Sequence, residues 1–379
     1  MRARVLTEIN EVSATDWNHM VPDNNPFSKH EFLSSLEING CLGEKFGWIP
    51  RHIVVESDGK LLGAAILYEK HNNYGEFVFD HAWHQAYDRY GLDYYPKLVS
   101  AIPYTPASGV RLLSKSKDIN KVYPLLLQAI EDLCRDIGAS SYHCLFSNSR
   151  DIEWLSLEGL CLRHDCQFHW RNDGYNDFDD FLQTLKSKKR KNIRRERRLV
   201  SDSGVYLRLL NGHNATHIDW KNFNNFYQRT FLEKSGMPTL NLSFFEDIAK
   251  KIPDQIVLIL ADLDGKCVAG SLMFSSDTRL YGRHWGCIEH IDNLHFEACY
   301  YKGIDYCIEN KLDVFEPGAQ GEHKVSRGFL PTLTRSAHLI IDDNFKEPIS
   351  SFCKQEQQYI EQYIQEISSH SPYKGKATC

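Results

Sequence analysis

The chain has 379 residues, of which 42% are hydrophobic, 25% charged and 12% aromatic. That is too long for one ordinary domain and apolar enough for two cores. A formal net charge of −6 excludes a protein that binds nucleic acid through its overall field.

The N-terminus MRARVLTEINEV has no apolar signal-peptide core. The longest apolar run, IVLILA at 256–261, is far too short to span a membrane. Eleven scattered cysteines with no C-x-x-C pair read as reduced thiols in cytoplasm. Cys161, His164 and Cys166 lack a second paired half, so no metal is expected. Stable membrane insertion is not expected either, and the oligomeric state is left open.

In chain order, NPFSKHEFL (25–33) precedes HIVVESDGKLLGAAILYEK (52–70), which predicts a hairpin turning at Asp58-Gly59. YGEFVFDHAW follows at 74–83. AIPYTPASGVRLL (101–113) reads either as the wall of a cleft or as a Pro-rich edge segment. YPLLLQAIEDLCRDIGASSYHCLF (123–146) predicts a helix leading into a strand. A polar, turn-rich boundary is expected near 165–178, followed by a helix from Asp177 that carries KSKKRKNIRRERR. Leu182, Leu185, Ile193 and Leu199 would form its apolar side.

The first pattern then repeats. QIVLILADLDGKCVAGSLMF (255–274) predicts a second hairpin turning at Asp264-Gly265, with one gap needed to match Gly63 to Gly270. LYGRHWGC (280–287) echoes 74–83, and FEACYYKGIDYCIENKLDVFEPG (296–318) echoes the helix–strand pair. The fold class is therefore α/β, with two copies of one domain, each a mixed sheet flanked by helices. The expected limits are 1–165 and 166–368, with a basic helix at 180–200. A last helix covers 345–367, with Phe352, Tyr359, Ile360, Tyr363 and Ile367 on its stripe, and a frayed tail covers 369–379.

Three stretches concentrate chemistry. The run 186–198 holds nine Lys/Arg and one Glu, a net +8 in a chain of net −6. It reads as a docking face for a polyanion through Lys189, Arg190, Arg194 and Arg195, or as a solvated helix face. In 279–301, a strand would place Tyr281, Arg283 and Trp285 on one side and His284 on the other. A helix would follow, capped by Asn293, with Glu297 and Tyr301 on one face as base and acid, or with Glu297 serving the helix dipole. EPGAQGEHKVSRGFLP (316–331) leaves a strand with three glycines and the polar side chains Gln320, Glu322, His323, Lys324, Ser326 and Arg327. Lys324 and Arg327 suit an oxyanion or phosphate, and His323 or Glu322 suits proton transfer. No P-loop, dinucleotide, serine-hydrolase or zincin signature occurs.

The tandem copies, the basic helix and the stretches GRHWGC, LHFEACYYKGIDYCIE and FEPGAQGEHKVSRGFLPTLTRSAHL resemble the FemAB-like branch of the GNAT acyltransferases. The resemblance covers nearly the whole chain. It implies twin GNAT folds and N-acyl or aminoacyl transfer to an amine, on a small molecule or a cell-wall precursor, with acyl-CoA or aminoacyl-tRNA as donor. Two departures stand out. Many relatives end in Phe-Lys-x-Gly-Phe; laid on Gly321 to Phe329, this puts Val325 and Ser326 at the Phe and Lys, so Lys324 or Arg327 must stand in. The R/Q-x-x-G-x-G/A turn that holds coenzyme A pyrophosphate is absent, with CIEHIDNLHFEA in its place. The alternative reading is a non-catalytic module that binds RNA or a phosphorylated glycan. Contact of the basic helix with anionic lipid ranks last, because that helix lacks a bulky aromatic face.

Overall fold

The computed structural model describes residues 1–319 and 321–375, save the side chain of Ser116. Gln320, an expected substrate-binding residue, and tail residues 376–379 lie outside the described residues. The chain divides into two compact units, Met1–Asp165 with Leu333–Gln362, and Cys166–Thr332 with Tyr363–Cys379. Residues 333–362, counted with the second copy on sequence, thus belong to the first unit.

Both hairpins form where turn chemistry puts them. Ile53–Ser57 pairs with Lys60–Ala65, and Ile256–Leu263 pairs with Lys266–Ser275. Their turns use Asp58 and Gly59 at φ 50° and 71°, and Asp264 and Gly265 at 50° and 75°. Asp and Gly tolerate this left-handed pair, and its twist matches the strands. Each hairpin slips register at the same place, after Val55 and after Ala261. Gly63 stands opposite Val55 as Ala269 stands opposite Ala261. The gap introduced on sequence to match Gly63 with Gly270 is therefore unnecessary.

The first unit has two sheets. One runs Arg2–Val5, Ile53–Ser57, Lys60–Ala65, Leu112–Ser114, all antiparallel. The other runs Trp48–Pro50, Tyr68–Lys70, Lys97–Ser100, Ser141–Cys144 and residues 337–340, with one parallel pair. The helix Ile119–Ile137 buries Val122, Leu126 and Ile130, at i, i+4 and i+8, in the core and ends at left-handed Gly138. The stretch 74–80 is not a strand; it leads into the helix His81–Arg89. The echo with 280–287 therefore fails there.

The second unit carries a sheet in the order Tyr206–Leu210, Ile256–Leu263, Lys266–Ser275, Arg279–Cys287, Val314–Glu316 and residues 170–171. Only Arg279–Cys287 with Val314–Glu316 is parallel. On one face Val257, Ile259, Met273 and Leu280 pack with Ala298, Tyr301, Ile304 and Ile308. Tyr227 of the helix His217–Glu233 meets His284 on the other, with ring centroids 5.0 Å apart.

Other expectations are corrected. The boundary stretch begins as a strand, Cys161–Arg171. The single helix expected from Asp177 is two, Phe178–Thr184 and Ser187–Asp202. Leu185 is extended and bridges to Tyr373, while Lys186 N–H donates to Pro372 O and Lys374 N–H to Thr184 O, both at 2.8 Å. The described tail is therefore packed rather than frayed. Leu199 is exposed and Val200 is buried in its place. On the last helix, Asp343–Ser369, the buried positions are Phe345, Ile349 and Cys353, whereas Tyr359 is 65% exposed.

Candidate active site in the second unit

The strand Arg279–Cys287 slips register between Leu272 and Met273, which leaves Arg283 as the extra residue. Because of that bulge, Tyr281 opposite Phe274 and His284 opposite Leu272 share a face, and Trp285 opposite Ser271 takes the other. The sequence reading had grouped Tyr281 with Trp285. Arg283 is half-buried and its pKa is lowered to about 10 by burial. His284 is held neutral, first by burial and then by Arg283. It sits against Tyr227 and Phe245, so its surroundings are aromatic packing.

A helical segment follows from Leu294 to Glu309, with a wide π turn at Glu297–Tyr301. Such turns often mark functional sites. Asn293 stands at its start at φ 66°, but its side chain makes no cap hydrogen bond. After the strand Val314–Glu316 comes a 3-10 helix, Glu322–Arg327, where a loop was expected. Gly328 ends it at φ 98°, where an added Cβ would lie 2.7 Å from the Phe181 ring and 3.1 Å from the Tyr373 hydroxyl. Tyr373 Oη donates to Gly328 O at 2.7 Å and fastens the turn.

The helical segment presents two faces. Phe296 and Tyr300, i and i+4, face the 3-10 helix. Tyr300 Oη and His323 Nε2 share a hydrogen bond of 3.0 Å, and the two rings lie 5.9 Å apart. His295 packs edge-on to Tyr300 at 5.3 Å and to Trp285 at 5.4 Å. Glu297, Tyr301 and Asp305 line the other face, toward the basic helix. Arg197 Nη2 reaches Glu297 Oε1 at 3.0 Å and Asp305 Oδ2 at 2.7 Å. Glu297 Oε2 is buried and makes no hydrogen bond among the described residues. The two bases weighed on sequence, Glu297 and His323, thus occupy different faces.

Arg327 joins the faces. Its Nη2 donates to Glu196 Oε1 at 3.0 Å, its Nε to Tyr301 Oη at 3.1 Å and its Nη1 to His323 O at 3.0 Å. Its guanidinium lies 3.5 Å from the Phe296 ring centroid. Tyr301 Oη donates to Glu196 Oε2 in a short hydrogen bond. Arg327 and Tyr301 are thus engaged with each other and with Glu196. Ser326 Oγ donates to His323 O at 2.9 Å, and Glu322 accepts from Tyr363 Oη at 2.7 Å.

Lys324 differs. It is 2% exposed, and the described residues offer its Nζ one hydrogen bond, to Gly318 O at 2.7 Å. Burial lowers its pKa to about 8. An ammonium with donors to spare in a dry setting is a strong electrostatic catalyst for a developing oxyanion. His323 is exposed at its edge, but its ring lies against Phe296 and Tyr300; that partial desolvation, then Arg327 and Lys324, lowers its pKa, so it is a neutral base at pH 7. Burial pushes the Tyr300 hydroxyl far above its ordinary range, so it stays protonated.

The basic helix splits in the same way. Glu196 and Arg197 point inward. Arg194 pairs with Asp179 at 2.9 Å, and Arg190 Nη1 donates to Gln183 at 3.4 Å. Lys188, Lys191, Arg195 and Arg198, at i, i+3, i+7 and i+10, are exposed and have no ion pair among the described residues. Of the four cations chosen on sequence, Arg195 belongs to this stripe, and Lys189 is half-buried. Glu196, Arg197, His295 and Tyr300 were missed. The signal for Glu196 was present, as the one acid in a run of nine cations.

Among the described residues, no group of three or more His, Cys, Asp or Glu is placed to hold a metal ion. No helix among them is long and apolar enough to cross a membrane.

Solved structures share the fold at low identity. FemX superposes with a TM-score of 0.55 at 13% identity, over 92% of this chain and 100% of its own. The C-terminal domain of a putative lysylphosphatidylglycerol synthetase from Agrobacterium fabrum gives 0.52 at 8%, over 92% and 95%. L-PGS from Bacillus licheniformis gives 0.51 at 9%, over 86% and 96%. No curated protein matches the sequence. The α/β architecture expected on sequence, with sheets flanked by helices in two units, is the one observed. Residues 8–375 match the FemAB_like family, described as peptidoglycan biosynthesis/recognition. On that match over nearly its whole length, the chain belongs to the FemAB-like family.

Proposed function

We propose that this protein transfers an acyl or aminoacyl group from an activated donor, acyl-CoA or aminoacyl-tRNA, to an amine on a cell-wall precursor. The observation that carries the reading is Lys324, a buried ammonium with unused donors beside an exposed neutral histidine. The acceptor amine attacks the donor carbonyl. His323 takes the amine proton at Nδ1, with Nε2 held by Tyr300 Oη. The tetrahedral oxyanion forms against Lys324 Nζ; its collapse breaks the bond to the thiol sulfur or the tRNA hydroxyl oxygen, and protonated His323 returns its proton to that leaving group. Arg327, Glu196 and Tyr301 are positioning residues that fix the 3-10 helix carrying both groups. The family description favours a cell-wall acceptor, and the names of the lysylphosphatidylglycerol synthetases that share the fold favour an aminoacyl donor.

The exposed basic stripe favours a second reading, a non-catalytic module that binds RNA or a phosphorylated glycan. Thermal midpoints at low salt, with and without acetyl-CoA or charged tRNA, separate the cases. A ligand specific to the folded state at a hundredfold excess over its Kd adds about 2.7 kcal/mol of stability. A rise with acetyl-CoA makes it the donor, and a rise with charged but not uncharged tRNA makes the aminoacyl group part of what is bound. Equal rises with both tRNAs, with no transfer product, support the non-catalytic reading.

A further inference from the structure

In the first unit, the strand beginning at Cys161 meets the helix Asp343–Ser369 along two rungs. Arg163 Nε and Nη2 donate to Glu356 Oε2 and Oε1 at 2.5 and 2.8 Å, a bidentate clamp. Positions 161 and 163 share a strand face, and 353 and 356 are neighbours on a helix face. The clamp therefore sets the register that brings Cys161 to Cys353. Cys161 packs on the cluster of Trp83, Tyr87, Ile349 and Cys353, which brings the two thiols to one place. Their access to solvent differs. Cys353 is 1% exposed, whereas Cys161 is half-buried and lines a groove of about 620 Å³ together with Lys346, Ser350 and Lys354.

Their chemistry differs as well. Burial pushes the thiols of Cys134 and Cys144 up to about 12. Cys161 is instead drawn below the ordinary thiol value, first by the neighbouring Cys353 thiol and further by the Lys354 and Arg163 cations, against the opposing effect of burial. An accessible thiol beside cations and backed by a second thiol is the arrangement that thiol–disulfide exchange requires.

We propose that Cys161 and Cys353 form a redox-active dithiol that exchanges with a low-molecular-weight disulfide. The Cys161 thiolate attacks one sulfur of the small disulfide, forming a mixed disulfide and expelling one small thiolate. The Cys353 thiol then loses its proton and attacks the Cys161 sulfur, expelling the second small thiolate. Two protein thiols are oxidised, and one small disulfide is reduced to two thiols. The new bond ties the strand at Cys161 to the helix at Cys353. The site is independent of the transfer chemistry proposed for the second unit.

The test treats the full chain with oxidised glutathione and maps its thiols by peptide mass spectrometry. The expected product is a crosslinked peptide pair holding Cys161 and Cys353, reversed by dithiothreitol. Cys353→Ser should stop at a stable glutathione adduct on Cys161. Cys161→Ser, at a partly exposed position, should give neither adduct nor crosslink at Cys353. In the untreated native protein, iodoacetamide should label Cys161 at least about tenfold faster than Cys353. The proposal is overturned if wild type stays reduced at both positions, or if glutathione settles on other cysteines while Cys161 stays free. Should Cys353→Ser fail to fold, the wild-type map and Cys161→Ser decide alone.

Discussion

At the scale of single residues, the second unit separates charges that hold structure from charges left to act. Arg327 has four polar partners and a stacked ring, whereas Lys324 has one carbonyl. Lys324→Met keeps the volume and removes the ammonium, so transfer should fall by about 10²-fold or more with folding intact. The pH profile follows from the same two groups. His323 must be neutral, so the rate rises with pH through a point below 6.5. Lys324 must be charged, so the rate falls as pH passes about 8. His323→Ala should erase the acidic limb and leave the alkaline one; loss of both limbs together, or of neither, would refute the assignment.

In the first unit, Lys70 is fully buried, and its Nζ donates to Asn72 Oδ1 at 3.0 Å and Tyr74 O at 3.1 Å. Burial lowers its pKa from 10.5 to about 7. The unfolded chain therefore holds more protons between pH 7 and 10.5, and this lysine makes stability rise with pH across that window. Urea midpoints of wild type and Lys70→Met at pH 7 and at about pH 9 should diverge accordingly, with the flatter dependence in the variant.

Among the elements, the 3-10 helix Glu322–Arg327 depends on what closes it. Gly328→Ala forces a Cβ against Phe181 at φ 98° and should cost about 2 kcal/mol or more, read from denaturation midpoints. Removing residues 371–379 takes away the pairing at 184–186 and the Tyr373 bond to Gly328, and should lower the thermal midpoint of the second unit. These elements also mark how far the sequence could be read. The hairpins were legible because an Asp-Gly turn is a local signal, complete within two residues. The 3-10 helix was not, since a polar, glycine-rich stretch has no apolar period to read. The inner face of the basic helix was hidden because Glu196 and Arg327 are 131 residues apart. The stripe of the last helix was legible in part: Tyr363 and Ile367 pack on the second unit's core as expected, whereas Phe352 and Tyr359 are exposed and Phe345, Ile349 and Cys353 are buried. His323, Lys324 and Arg327 were recognisable as a cluster, but their division of labour required knowing where each hydrogen bond goes.

For the whole molecule, a net charge of −6 conceals a concentrated cation stripe. On the proposed function, Lys188, Lys191, Arg195 and Arg198 would contact a phosphate-bearing ligand, with a slope of log affinity against log salt of about −0.7 per phosphate neutralised on a single strand. Replacing Arg195 and Arg198 by Ala should reduce that slope by about 1.4, while acetyl-CoA and amine turnover at high donor concentration stay unchanged. An unchanged slope would move the polyanion elsewhere.

The central claim is acyl or aminoacyl transfer to an amine at Lys324 and His323. The most direct test incubates wild type and Lys324→Met with an amine-bearing cell-wall precursor and, separately, acetyl-CoA and charged tRNA, and measures the amide product by mass spectrometry. Wild type should give product with one of the two donors, and the variant about 10²-fold less. Equal product from both proteins, or none from wild type with either donor, would contradict it.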